Sequence, residues 1–478
     1  MKRVDFLILA FILIIAFFFR LYKINTPLAD LHSWRQADTA AVARNFVTQG
    51  FDLLHPRYDD MSNVQSGLDN PQGYRMVEFP LYNAIFAWLF KLFPAIPLTQ
   101  WGRLTSIFFS LITISVIYYL LAKEQNRSTA FWASAIYAIF PFFVFFSRVI
   151  LPESTALGFT MLSIFFLYLF SKKQYSNITI YLFYLLSLIS FAAALLIKPT
   201  VIFCMIPIAY LFFQSYKWKF LKKPSFYLYF LIALTPLILW RNYIGRFPEG
   251  IPVNEWLLTS VNTGGSLQKI FFRPAFFRWI FFERINNLIL GGYLTVFFIL
   301  GIIAKRKNFF LYSYLLSSIS YLLVFQGGNV QHEYYQTLIL PFLAIFSALG
   351  INFLFEKKSN IYHLASIILV FVLLLFSWYF SYYKVKDYYQ YSQELIQEAK
   401  ILNDLTSKED KIVTDRMGDT TLLYLAERRG APSIYKEPED LKKLGYSFLV
   451  TSSQYQIEKM EKNFEIIFGN DKFTLFSL

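Results

Sequence analysis

Apolar runs of about 18 or more residues recur along most of this chain, and each is long enough to cross a bilayer. Backbone polar groups in lipid must pair within their own segment, so these runs read as helices. Composition agrees: 56% of residues are hydrophobic, only 16% are charged, and mean hydropathy is +0.43. A soluble chain would carry about 25% charge. Spans are predicted near 4–22, 103–122, 129–147, 153–170, 178–197, 199–216, 224–243, 286–304, 308–325, 335–355 and 362–383. The first run resembles a signal peptide, with Lys2 and Arg3 ahead of the apolar stretch. No small-residue cleavage site follows it, and it ends in Phe17-Phe18-Phe19-Arg20, so it reads as a retained helix.

The formal charge is +14. The excess Lys and Arg sit in short connections between spans, where topology and lipid headgroups account for them without nucleic acid. No zinc-ligand spacing and no RNA-binding motif is present. The single cysteine, Cys204, excludes an intramolecular disulfide. Basic residues concentrate in alternate connections: Lys123 and Arg127; Lys172 and Lys173; Lys217, Lys219, Lys222 and Lys223; Lys305, Arg306 and Lys307; Lys357 and Lys358. The short connections of the other set hold only Arg148 and Lys198. The positive-inside rule therefore puts the first set and the N-terminus in the cytoplasm. Counting 79–98 as a twelfth span would reverse every later helix. It reads instead as a short re-entrant or interfacial helix, shortened by Pro80, Pro94 and Pro97.

Three regions then fall on the outer side: loop 23–78, loop 241–285 and everything after about residue 384. Within the first, Trp34 to Val47 mixes alanines with Arg35, Asp38 and Arg44, which suggests a helix lying at the membrane surface. The tail gains charge. Lys411–Thr414, Tyr446–Thr451, Glu465–Phe468 and Phe473–Phe476 read as strands, with helical patterns at 391–405, 419–429, 438–443 and 453–462. The fold class is an α-helical polytopic membrane protein of about eleven spans, with a transmembrane domain 1–383 and a small α/β domain 384–478.

The residues suited to chemistry cluster at the start of the first outer loop, from Asp30-Leu31-His32-Ser33-Trp34-Arg35 through Gln36-Ala37-Asp38, and Glu78-Phe79-Pro80-Leu81-Tyr82 closes the same loop. A carboxylate here suits a general base acting on an acceptor hydroxyl. A guanidinium suits a phosphate leaving group, because its fork matches phosphate oxygens. The plain alternative is a set of solvated charges anchoring an interfacial helix. Arg148 and Glu153 flank a proline turn between two spans, and Lys198 precedes Pro199 at another. Charges at that depth are costly unless paired or facing a wet cavity, so Arg148 and Lys198 are predicted to face one. Snorkelling at the membrane edge is the rival account. Arg241 opens the second long outer loop, and His332, Tyr334 and Tyr335 belong to a polar outer turn, where an aromatic belt is the plainer reading.

These elements together resemble a known family. A first helix ending in Phe18-Phe19-Arg20-Leu21 is followed by an acidic loop and an Ala41-Val42-Ala43-Arg44-Asn45-Phe46 helix. Then come Glu78-Phe79-Pro80-Leu81-Tyr82, the Arg103-Leu104-Thr105-Ser106 opening of the next span, and the turn Ser147-Arg148-Val149-Ile150-Leu151-Pro152-Glu153. Over roughly residues 5–355 the chain is similar to the membrane-embedded GT-C glycosyltransferases of the protein O-mannosyltransferase and lipid A aminoarabinose transferase superfamily (glycosyltransferase family 39-like). The resemblance implies inverting sugar transfer from a polyprenyl-phosphate carrier at the outer face, with an acid of the first loop as base. The family usually shows an Asp-Glu pair before the loop helix. Arg35 and Gln36 occupy that place here, so the base is Asp38 or Asp30, with Asp38 favoured by its place on the helix. Glu78 stands where the family carries a basic or polar residue, and is a candidate second acid, metal ligand or acceptor-orienting group.

The sequence therefore predicts a glycosyltransferase moving a sugar from a polyprenyl-phosphate donor to a lipid, glycan or protein hydroxyl. Lys198 is favoured for the donor phosphate, with Arg148 and Arg241 beside it, and His32, Arg35, Glu153, His332 and Tyr335 complete the cavity. No cofactor is assigned. A divalent metal has an oxygen- and nitrogen-rich option in Asp38, Glu78 and His32, but no spacing demands it. A bacterial inner membrane suits the short loops. A lipid or glycan transporter or flippase is the alternative, although inverted repeats and Gly/Pro-broken helices in matching halves are lacking. A non-catalytic scaffold for polysaccharide assembly would make Asp30, Asp38 and Glu78 jointly dispensable.

Overall fold

A computed structural model describes residues 2–172, 176–252, 270–304, 309–355 and 360–478. Lys173, Lys305, Arg306, Lys307, Lys357 and Lys358, used above for orientation, lie outside the described residues, as does 253–269 of the second outer loop. Contacts gather the chain into two units. One comprises Met1–Ile24, Arg103–Trp240 and Trp256–Tyr388; the other comprises Asn25–Gly102, Arg241–Glu255 and Tyr389–Leu478.

The first unit is helical. All eleven predicted runs form helix among the described residues, and eight helical stretches are long and apolar enough to span a membrane. The other three depart from straight spans for local reasons. Run 129–147 is split into Arg127–Ile139 and Pro141–Phe146, because Pro141 brings no N–H to continue the ladder. Run 286–304 is not one helix: Pro274–Ile289 and Leu294–Ile303 meet at a bend of 119°. Gly291 and Gly292 sit there at φ of 60° and 81°, a conformation open to glycine. Run 308–325 shortens to Phe310–Val324.

Packing in this unit relies on close backbone approach. A Cβ on Gly301 would meet the Phe346 carbonyl oxygen at 1.8 Å, and one on Gly350 would meet that of Phe297 at 1.8 Å. Helices Leu294–Ile303 and Leu340–Phe355 therefore touch through glycine, as membrane helices commonly do. The arginine of the first helix is fully buried. Arg20 donates to the carbonyls of Ala16, Ala138 and Tyr137 at 2.9–3.0 Å and to Ser147 Oγ at 2.7 Å. It binds the end of helix Arg3–Leu21 to the carbonyls left open where Arg127–Ile139 stops.

The second unit combines the first outer loop, the start of the second and the tail. Helix Ser33–Gln49 forms as predicted but does not lie on a surface. Residues 35–43, Asn45 and Phe46 are all buried. Ala37, Ala40, Ala41 and Ala43 present almost no side chain, which lets helices Leu81–Leu92 and Thr421–Leu425 pack against it. Leu81–Leu92, at 12 residues, is too short to cross a bilayer. The tail folds as a five-stranded sheet in the order β2-β1-β3-β5-β4, with β1 Lys411–Thr414, β2 Arg429–Ala431, β3 Phe448–Thr451, β4 Ile466–Gly469 and β5 Thr474–Ser477. β1 runs parallel to β2 and β3, and β5 runs antiparallel to β3 and β4.

Helices Gln393–Leu405 and Thr421–Leu425 cover one face through Leu402, Leu422 and Leu423. Helices Pro438–Lys443 and Gln454–Met460 cover the other through Leu441 and Met460. β2 corrects the sequence reading, which ran a helix through 419–429. Gly430 is the reason: a Cβ there would strike the Ile412 carbonyl at 1.8 Å. The same glycine joins the first loop to the sheet, donating to Asp59 O at 2.8 Å and accepting from Met61 N at 2.7 Å. By contacts the first loop groups with the tail in one unit, whereas the sequence reading drew its boundary at residue 384.

Candidate active-site residues

Asp38 sits on helix Ser33–Gln49 with a relative exposure of 1%. Thr420 Oγ1 donates to its Oδ1 at 2.7 Å, and the Arg75 guanidinium lies 2.9 Å from its Oδ2. Burial raises its pKa above the usual carboxylate value, against the pull of Arg75 and Thr420. Asp59 and Asp60 are buried in the same unit. Asp59 meets Arg44 Nη2 at 2.5 Å, and Arg44 also donates to Tyr424 O at 2.9 Å while lying over that ring. Asp60 accepts from Ser62 N at 2.8 Å, Ser62 Oγ at 2.6 Å and Tyr58 OH at 3.3 Å. Burial pushes Asp60 up to about 6, opposed by the Ser62 bonds and reinforced by the Asp38 charge. Burial raises Asp59 as well, against the attraction of Arg44.

Asp30, also buried, accepts from Gln36 Nε2 at 2.6 Å, while Gln36 donates to Leu31 O at 2.9 Å. His32 caps the helix in a left-handed conformation at φ 58°. Arg35 Nη2 bridges both oxygens of Glu78 at 2.6 and 2.8 Å, tying the loop helix to the entry of Leu81–Leu92. Asp38, Glu78 and His32 do not converge. Among the described residues no three His, Cys, Asp or Glu side chains gather as a metal would need. Arg75, Asp59, Asp60 and Thr420 were missed from the sequence. The run Arg57-Tyr58-Asp59-Asp60 carried a signal, as a dense charge cluster in a polar loop. Thr420 carried none, lying 382 residues from its partner.

In the helical unit, Lys198 Nζ and Glu153 Oε1 form a pair at 2.7 Å with both side chains buried, and the ammonium lies 5.1 Å from the Tyr335 ring. Lys198, Glu153 and Tyr335, predicted separately, are thus one cluster. His332 stacks on Tyr334 at 5.2 Å, and the Tyr334 and Tyr335 rings are 4.5 Å apart. Arg148 is fully buried, donates to Lys23 O at 2.9 Å and sits over Phe145. Beside the polar turn, Arg284 pairs with Glu333 at 3.1 Å, and Tyr388 OH donates to Glu333 at 3.4 Å; neither Arg284 nor Tyr388 stood out in the sequence. Arg241, near the end of helix Pro224–Ile244, is half-buried and groups with the second unit.

The fold is shared with solved membrane proteins over nearly the whole chain. The chain aligns with ArnT from Cupriavidus metallidurans in the apo state over 98% of its residues and 97% of that chain, at a TM-score of 0.67 and 12% identity. The same enzyme bound to undecaprenyl phosphate gives 0.65 at 13% identity, with the same coverage. This chain has the GT-C fold. The GT-C likeness extends to the oligosaccharyltransferase AglB from Archaeoglobus fulgidus, in complex with an inhibitory peptide and a dolichol-phosphate. There the TM-score is 0.61 at 11% identity, over 94% of this chain and 69% of that one. The dolichyl-phosphate-mannose-protein mannosyltransferase family model matches residues 80–240 of this GT-C chain. No curated protein sequence matches it. This multi-pass membrane protein thus has a helical unit, as the apolar runs predicted, and a small sheet, as the strand pattern of the tail predicted.

Proposed function

We propose that this protein is a glycosyltransferase that moves a sugar from a polyprenyl-phosphate donor to an acceptor hydroxyl on the extracytoplasmic side of the membrane. The observation that carries the reading is the end-to-end likeness to a solved ArnT that binds undecaprenyl phosphate. The matched mannosyltransferase segment, residues 80–240, supports the same class of chemistry. Sidedness rests on Lys123, Arg127, Lys172 and the Lys217–Lys223 cluster, which favour the cytoplasm for the N-terminus and the outer face for the tail. A bacterial inner membrane fits the same pattern.

In this mechanism the acceptor oxygen attacks the anomeric carbon, the bond from that carbon to the phosphate oxygen breaks, and polyprenyl phosphate leaves. A base removes the acceptor proton. Asp30 is our candidate for that step, with Asp38 as a positioning residue. Both oxygens of Asp38 are engaged, by Thr420 and Arg75, which suits a positioning residue holding the loop after β1. Asp30 is oriented by Gln36 from the same loop helix. Lys198 is the cation for the leaving phosphate: Glu153 holds it in place, and exchanging that carboxylate for a phosphate keeps the ammonium compensated. Glu78, clamped by Arg35, fixes the loop helix against the Glu-Phe-Pro-Leu-Tyr element rather than acting on substrate.

The test is direct. Purified full-length protein, given polyprenyl-phosphate-linked sugars and a panel of lipid and peptide acceptors, should release polyprenyl phosphate in step with glycosylated acceptor. Movement of intact donor across a vesicle membrane with no transfer would sink the enzyme in favour of a flippase.

A further inference from the structure

The sheet of the second unit reverses its strand order at β1. The chain leaves β1 through helix Thr421–Leu425 to β2 on one side, then returns past β1 to β3 on the other. The helices that follow β1 and β3, Thr421–Leu425 and Gln454–Met460, lie on opposite faces of the sheet, so their departures from the carboxyl ends of β1 and β3 leave a crevice, the usual ligand position in such sheets. The structure has a cavity of about 480 Å³ at that edge. Its walls are Glu394 and Glu398 from the first turns of helix Gln393–Leu405, Arg416 and Asp419 from the loop after β1, Ser452 after β3, and Lys472 from the β4–β5 turn. Leu395, Ile401, Leu422 and Phe473 form the apolar part of the lining.

The charges identify what fits. Arg416 is paired with Glu398, and Lys472 with Glu394 at 2.9 Å. Both cations are therefore already matched, and Asp419 leaves the wall with one carboxylate in excess. A phosphate or carboxylate ligand would have to displace an acid from its partner. A neutral, hydroxyl-rich ligand meets no such cost: its hydroxyls donate to the carboxylates and accept from Arg416 and Ser452, and its C–H face rests on the apolar lining. The cavity is linked to the first loop through a single residue step. Asp419 lines it, and the next residue, Thr420, donates to Asp38.

We infer that this cleft binds a neutral sugar unit of the acceptor. The assignment to the acceptor rests on the glycosyltransferase reading; the sugar site itself does not. Saturation-transfer NMR and calorimetry on the full chain in detergent, with mannobiose, chitobiose, galactobiose and mannose 6-phosphate, test it. At least one neutral disaccharide should bind. Ser452→Trp, which fills the cleft from an exposed position, should weaken that binding tenfold or more with an unchanged melting temperature. Asp419→Asn, which keeps the acceptor for Thr421 N, should weaken it several-fold. The proposal is overturned if no neutral disaccharide binds, if Ser452→Trp binds as the parent does, or if mannose 6-phosphate binds more tightly than every neutral sugar. Sugar binding in a protein that transfers nothing would remove the enzyme reading and leave the cleft; transfer without sugar binding would remove the cleft alone.

Discussion

In the helical unit the deepest charges are arginines that donate to backbone carbonyls. Arg20, Arg103 and Arg148 are all fully buried, and their guanidinium groups reach the carbonyls of Ala138, Ile24 and Lys23. In the second unit the deepest charges are carboxylates. Asp38, Asp59 and Asp60 are buried, two of them against Arg75 and Arg44 and the third against Ser62 and Tyr58. The contrast follows from what each fold leaves unpaired. Helices that end inside a membrane protein expose carbonyls, and a five-donor guanidinium satisfies several at once. A loop-rich unit beside a sheet exposes N–H and O–H groups, and carboxylates collect them. Arginine closes helix ends in both units, as Arg428 does for the Asn403 and Thr406 carbonyls at the end of Gln393–Leu405, and what sets the second unit apart is its group of buried aspartates.

The contrast can be broken at several strengths. Arg20→Met would strip donors from three buried carbonyls and Ser147, and should cost upwards of about 3 kcal/mol. Thermal unfolding in detergent would read this as a large drop in melting temperature, and an unchanged value would remove the carbonyl-satisfying role. Asp30→Asn should slow transfer by about 100-fold or more while leaving the melting temperature close to the parent's. Asp38→Asn should do the converse, lowering stability more than rate, because a neutral amide cannot balance Arg75; the opposite pattern would move the base to Asp38.

Asp60→Asn should act through pH. A carboxyl whose pKa is raised on folding lends stability that is complete below its ordinary value of 3.8 and is lost as pH climbs through about 6. The parent should therefore lose stability between pH 4 and 7, and Asp60→Asn should flatten that slope and gain about 2 kcal/mol at neutral pH. Unfolding at pH 4.5 and 7.5 checks it, and parallel slopes would refute the assignment. The smallest effect on stability is expected for the double variant Lys198→Met with Glu153→Gln, within about 1 kcal/mol, because both charges leave together. Donor-lipid affinity should nonetheless fall, and retained affinity would separate Lys198 from the phosphate.

Much of the helical unit was legible because a span needs only its own apolar length, as in Asn177–Ile197 or Glu333–Phe355. Four strands of the tail were equally local. What escaped the sequence was set by contacts. The alanines of helix Ser33–Gln49 read as an amphipathic surface helix, yet their small size is what admits neighbours on every side. β2 was hidden because Arg429-Gly430-Ala431 has no alternation of its own and is a strand only beside Ile412. Of the site, the acids and bases were visible as types, and Lys198 with Glu153 were both singled out. Their pairing, and the clasp of Arg35 on Glu78, were not visible.

The sequence alone determined that the chain crosses a membrane many times and ends in a small α/β fold, because hydropathy and strand alternation are properties of contiguous residues. Tertiary structure alone decided which groups the buried carboxylates meet. Asp38 receives its hydrogen bond from a threonine 382 residues away, and no local pattern of side chains encodes a partner at that distance.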